Sequence, residues 1–179
     1  MKRALAATAL AMAAACVGQG SAGPGSDGPS GGRPTGPDPT RVEIYTAAFR
    51  SLAETEGWFD PVLLDDRICP DIGDVRAAPG PCEERFTEAE QAAILAGLDD
   101  LPGIRFVDDA GRIQDKIFSG GLEGAGLLSV GTIDGDAERV TVGGRSYCGG
   151  LCAHWMTLVV RDRPAGWTVT GTTGPIAIS

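Results

Sequence analysis

The sequence predicts an α+β domain: a curved antiparallel sheet with two helices packed on one face, carried behind a signal peptide and a disordered linker. Three observations predict it. Two early segments repeat apolar residues at helical spacing, and each opens on a Thr-x-x-Glu pattern. The last third consists of apolar runs divided by Gly- and Asp-rich turns. Helices first and strands afterwards favour segregated helices on an antiparallel sheet over βαβ alternation.

The first expected element is residues 1–15, a signal peptide. Lys2 and Arg3 form a basic head, followed by an apolar run through Ala15. That run is about twelve residues, signal-peptide length, short of the ~20 that span a bilayer. Residues 16–39 follow as a tether; 16 of the 23 residues from Val17 to Pro39 are Gly, Pro or Ser. With so little apolar surface to bury, nothing offsets the entropy of ordering them. Residues 40–179 remain as a single domain, large enough to bury roughly 68% of its unfolded surface.

Within that domain Thr40 and Glu43 form a capping box opening helix one. Val42, Tyr45, Ala48, Phe49, Leu52 and Ala53 supply its apolar face, and Gly57 ends it. Trp58-Phe59-Asp60-Pro61 turns the chain into a short buried strand at 62–64. Residues 65–85 read as a loop, because Pro70, Pro79, Gly80 and Pro81 exclude regular structure. Thr87 and Glu90 open helix two, backed by Ala92, Ile94, Leu95 and Leu98 and stopped by Pro102-Gly103. Residues 104–107 read as a strand, 108–111 as a turn, 112–118 as a further strand and 119–126 as a glycine-rich loop. Strands at 127–133 and 139–142 flank Asp134-Gly135-Asp136, a hairpin signal. Tyr147 leads into a cysteine clip. Strands at 154–161 and 167–170 flank a second hairpin, and 176–178 closes as a terminal strand.

The formal net charge is −9. Without Lys2 and Arg3 the side-chain total becomes −9 − 2 = −11. No basic stripe is present to meet phosphates, so nucleic acid is excluded as a partner. Five cysteines are an odd set for an exported chain. Ala13-Ala14-Ala15-Cys16 resembles a bacterial lipobox, although Ala13 stands where that pattern usually has Leu. The resemblance implies that Cys16 is lipidated and that the lipid bilayer is the first partner, the chain being anchored extracytoplasmically on the outer face of the cell membrane. Ordinary secretion, with cleavage at Ala15 or near Ala22, is the alternative. Lipidation of Cys16, or cleavage beyond it, leaves Cys69, Cys82, Cys148 and Cys152, an even set suited to an oxidising compartment. Three pairings are possible. Cys69–Cys82 and Cys148–Cys152 are favoured because each closes a short Gly- and Pro-bearing loop, worth about 3 and about 2 kcal/mol by chain entropy.

The stretch SYCGGLCAHW raises the question of chemistry. Cys148, Cys152 and His154 offer three zinc ligands, but a structural site needs a fourth. Redox pairs use a closer spacing at a helix start. A structural disulfide fits best, with Gly149 and Gly150 in its tight loop. His154, the only histidine, shares a strand face with Met156, Leu158 and Val160, as a packed residue does; it is the one candidate for a Ser-His-Asp site, with Ser129 or Ser146 as nucleophile. No G-x-S-x-G elbow, EF-hand loop or phosphate loop is present. Carboxylates cluster at Asp65-Asp66, Asp71, Asp74, Asp108-Asp109 and Asp134-Asp136, where pairs are conceivable for glycoside chemistry. Trp58, Phe59 and Trp167 are the aromatic candidates for ligand contact.

The lipobox-like start, the Gly/Pro tether and the ending YCGGLCAHWMTLVVRDRPAGWTVTGTTGPIAIS resemble lipoproteins of high-GC actinobacteria that carry no assigned activity. The terminal strand-turn-strand pattern is similar to that of bacterial domains with cone-shaped α+β folds. The resemblance implies location and architecture and transfers no catalytic residue. The expectation is a membrane-tethered, non-enzymatic binding or interaction module without cofactor or metal, its partner a protein or small molecule and its oligomeric state open. The alternative is a small extracytoplasmic hydrolase using His154 or a carboxylate pair.

Overall fold

The computed structural model describes residues 37–57, 59–77 and 80–179. The expected signal peptide, Cys16, most of the tether and Trp58 lie outside the described residues. The first helix, α1 (Pro39–Glu56), starts before its expected cap. Asp38, not Thr40, is the N-cap: its side chain accepts from the Thr40 N–H at 3.0 Å. Proline suits the first helical position, whose N–H has no intrahelical acceptor. The expected tether therefore gives way to helix by Pro39.

β1 (Val62–Ile68) runs four residues past its expected end, into what reads as loop, and β2 (Glu84–Arg85) pairs with it from the far side of that loop. The extension carries Asp65 and Asp66, both buried. Buried carboxylates argue against a strand until a partner is known. Here Arg67 pairs with Asp65 and Arg85 with Asp66.

α2 (Glu88–Ala96) has the expected capping box. Thr87 Oγ1 accepts from the Glu90 N–H at 3.2 Å, and Glu90 Oε2 accepts from the Thr87 N–H at 2.8 Å. β3 (Arg105–Val107) follows. Residues 112–118 correct the expectation of a strand: with 110 and 111, expected as turn, they form α3 (Ala110–Phe118). Asp109, read as part of a turn, is its N-cap and accepts from the Arg112 N–H at 2.9 Å. Ala110, Ile113 and Ile117 then recur three and four apart and cover one side of the helix.

Four long strands complete the chain: β4 (Gly126–Gly135), β5 (Arg139–Gly149), β6 (Cys152–Arg161) and β7 (Thr168–Ile178). They form one open seven-stranded sheet in the order β2-β1-β4-β5-β6-β7, with β3 also on β1. The sheet is mixed rather than antiparallel, since β1 runs parallel to both β3 and β4. Helical crossovers make that possible: α2 lies between β1 and β3, and α3 between β3 and β4, long enough to return the chain in the same direction. The cysteine clip is the β5–β6 hairpin turn.

Strand alternation sorts the core into two clusters. Leu64, Leu128, Val142 and Leu158 pack with Tyr45, Phe49 and Leu52 of α1 and Ile94 of α2. Leu63, Leu127, Tyr147 and Ala153 point the other way and pack with α3. A third helix thus stands on the opposite face from α1. Beyond α3, that face is covered by the loop after β1. Gly73 and Gly143 meet there backbone to backbone: a Cβ on Gly143 would lie 2.9 Å from the Gly73 amide nitrogen, so neither position has room for a side chain.

Candidate functional site

Between α3 and the loop after β1 the second sheet face is left partly open. The opening is a cleft of about 370 Å³. Its floor is strand side chains of one parity: Asp65 and Arg67 on β1, Arg145 on β5 and Trp155 on β6. Gln114 of α3 forms one wall, and the segment from Cys69 to Ala77 forms the other. The Cys69–Cys82 disulfide closes that wall against β1, while the Cys69 N–H donates to the Val130 carbonyl at 3.0 Å.

The polar groups on the floor are unevenly satisfied. Asp65 is 2% exposed and well supplied. Its Oδ1 accepts from the Arg67 amide (3.2 Å) and Nε (3.1 Å), and its Oδ2 from Ser129 Oγ at 3.4 Å. That pairing raises the Arg67 pKa above its ordinary value against the opposing effect of burial. Arg145 is the contrary case. Its Nη2 donates to Gln114 Oε1 at 3.2 Å, but its buried Nε–H has no acceptor, and no carboxylate lies within ion-pair distance of it among the described residues. Burial lowers the Arg145 pKa from its usual value; Asp65 and Tyr147 oppose that shift and Arg67 adds to it. Because Asp65 is already paired with Arg67, the floor carries one uncompensated cation.

A second cleft, about 490 Å³, lies between α1 and the β6–β7 hairpin and contains Trp167. It is larger, but the cation in it is committed: Arg50 forks onto Asp100 at 2.8 and 2.9 Å and donates to the Gly97 carbonyl. In the smaller cleft Arg145 has no such carboxylate partner among the described residues, which makes that cleft the better candidate.

The sequence candidates are scattered. Cys69–Cys82 and Cys148–Cys152 are both bridged. His154 sits directly across from Ser146 in the β5–β6 register, on the face opposite the Arg145 cleft, and Ser146 is fully buried. Asp65 and Asp66 are neighbours on one strand, so they point to opposite faces. Phe59 is buried in the larger core cluster, and Trp167 is partly buried beside the second cleft and a third opening near Arg41. Among the described residues no group of three or more His, Cys, Asp and Glu is arranged to hold a metal ion. No described helix is long and apolar enough to cross a membrane.

The sequence reading missed Arg67, Gln114, Arg145 and Trp155 as a set. The available signal was Arg145 itself, a charged residue after two glycines within a strand. Comparison of the chain with family models, curated proteins and solved structures finds no match. The chemistry of the cleft therefore stands on its own. Two guanidiniums, an amide and an indole line it.

Proposed function

We propose that this chain is an extracytoplasmic lipoprotein, tethered to the outer face of the cell membrane through an acylated Cys16, and that its folded domain is a non-enzymatic binding module. In this reading α1 and α2 together seal one sheet face, and the cleft on the other receives the ligand. The observation that carries the binding reading is the cleft lined by Arg67, Gln114, Arg145 and Trp155, in which Arg145 is a half-buried cation with no carboxylate partner among the described residues. A buried charge without a partner works against stability, so a ligand that answers it supplies the reason for its presence. The address is supported by the basic head, apolar run and Cys16 of the sequence, and by two disulfides of the kind that persist in oxidising compartments.

Two measurements test it. Full-length chain expressed in a bacterial host should fractionate with membranes and gain the mass of acyl chains; Cys16→Ala should lose both. Each buried methylene holds by roughly 0.8 kcal/mol, so loss of the chains releases the protein. Membrane retention by the variant would reject the anchor. Fragment screening by NMR should produce shifts that map to Arg145, Gln114 and Trp155, and screening hits that map elsewhere would reject this cleft. The placement of Ser146 opposite His154 favours one second reading, a hydrolase. Ser146 is inaccessible to substrate, and the Asp65 and Asp66 carboxylates diverge, which weighs against it. Turnover of an ester or glycoside reporter that disappears in His154→Ala would replace the binding reading with that one.

A further inference from the structure

We infer that the disulfide-clipped end of the sheet docks on a lipid bilayer and inserts Leu151 and Phe118 into it. This rests on the membrane-tether reading above for the bilayer's presence and adds which surface of the domain meets it.

The large apolar side chains exposed among the described residues are Val75, Phe118, Leu151, Ile176 and Ile178. All but Val75 gather at one end of the sheet. Leu151 sits in the β5–β6 turn between Cys148 and Cys152 and is 92% exposed. The Phe118 ring, 70% exposed, lies over Gly150 of the same turn, where an added Cβ would meet it at 2.9 Å. Ile178 stands across from His154, just past the bridge, and Ile176 lies two residues before it on β7. Apolar side chains scattered singly over a surface are ordinary, whereas a cluster at one tip marks a contact surface. The bridge and the paired strands already hold this tip in place, so docking costs little ordering.

Charge decides what the tip contacts. The segments that meet at this end, 117–122, 146–153 and 168–179, contain no Asp, Glu, Lys or Arg, although 22% of the chain is charged. A charged partner finds nothing to pair with there. Leu151 protrudes from the apex of a hairpin, whereas a protein interface of standard size is a broad complementary patch of about 800 Å² per partner. A bilayer receives protruding apolar chains without a matching shape. Reach agrees with this. Asp38, at the start of α1, lies with Ile133 and Asp136 beside the β4–β5 turn, at the other end of the sheet. β5 spans the distance between the two ends, eleven residues or roughly 37 Å. From Cys16 to Asp38 the chain advances 38 − 16 = 22 residues, a contour of up to roughly 75 Å. A bilayer that holds Cys16 is therefore within reach of the far tip.

The test places the full-length chain with nanodiscs of phosphatidylcholine doped with a lipid nitroxide-labelled in its acyl chain, and reads methyl relaxation by NMR. Leu151, Ile176 and Ile178 should broaden, while Ile133 and Ala137 at the other end should not. Phe118→Ser with Leu151→Ser should reduce the broadening at Ile178 roughly tenfold or more, the scale of two lost apolar insertions. Both side chains are exposed, so the fold survives their change, and Leu151→Asp alone should act in the same direction. A chain that carries acyl mass but shows no broadening at the tip rejects the docking and leaves the anchor standing. Tip broadening in a chain without acyl mass rejects the anchor and leaves the docking standing. Broadening that is equal at both ends, or that survives the tip substitutions, overturns the proposal. So does sedimentation of the chain as a dimer that the same substitutions split, which would give the patch to a second copy.

Discussion

Replacing Arg145 by methionine should stabilise the folded domain. Leaving a buried donor unsatisfied costs about 1–3 kcal/mol, and Arg145 has such a donor in Nε. Against that stands the hydrogen bond to Gln114 that the variant loses, worth about 1 kcal/mol. Asp65 attracts Arg145 and Arg67 repels it. Those two are paired with each other, so their effects largely cancel. Methionine at 145 lies across from Trp155 in the β5–β6 register, where a thioether makes favourable contact with the indole. The sum is a gain of about 1 kcal/mol. For a domain of this size that is a rise of about 3 °C in Tm, or a urea midpoint higher by about 0.5 M if m is near 2 kcal/mol/M. Equilibrium urea unfolding with the disulfides intact, followed by far-UV circular dichroism, measures it. A loss of more than about 1 kcal/mol would refute the reasoning, because Arg145 would then be a net structural contributor.

Three further outcomes follow from the same structure. Converting Cys69 and Cys82 together to alanine should lower stability by about 3 kcal/mol and loosen the cleft wall; urea midpoints and amide exchange at Ile72 and Gly73 check this, and unchanged exchange there would detach the bridge from the site. Gly126→Ala should destabilise by at least about 1–3 kcal/mol, since its Cβ would enter the Phe59 ring, with thermal unfolding as the assay. Tyr45 is 1% exposed and donates to the Gly131 carbonyl at 3.2 Å. Burial first, then Glu84 and Glu90, push its pKa up to about 12, against the opposing Arg41. The unfolded chain loses that proton near pH 10 while the folded chain keeps it. Stability should therefore fall as pH rises from 10 to about 12, by roughly 2–3 kcal/mol in total. Phenolate absorbance of the folded protein should show a tyrosine that resists ionisation until near pH 12, and none delayed beyond pH 11 would refute the assignment.

Much of the chain's local structure is written in short patterns. Thr87 and Glu90 cap α2 because both partners of the box lie within one turn. Asp134-Gly135-Asp136 turns β4 into β5 because the glycine takes φ 139° there. Both disulfides close loops short enough for proximity to select them. The errors share a cause. The reading of β1 stopped at Leu64 because Pro70, Pro79, Gly80 and Pro81 set the whole of 65–85 down as loop, and the arginine partners that let Asp65 and Asp66 be buried in a strand had to be found in space. Residues 112–118 were read as a strand because 108–111 was assigned to a turn, although the carboxylate of Asp109 that suits a turn also caps a helix.

What the sequence by itself determined is the inventory: two helices, the second with its cap, the hairpin series, the paired cysteines, an acidic chain and an expected route of export. Each depends on contacts a few residues apart, or on composition, and so survives without knowledge of the fold. Only the tertiary structure decided that β1 lies parallel to β4, that α3 takes the other sheet face, and that Arg67, Gln114, Arg145 and Trp155 meet at one cleft. Those residues span positions 67 to 155. Whether an arginine is a solvated surface charge or a buried cation short of a partner is set by which strands become neighbours, and strand order is fixed by long-range burial rather than by any local pattern.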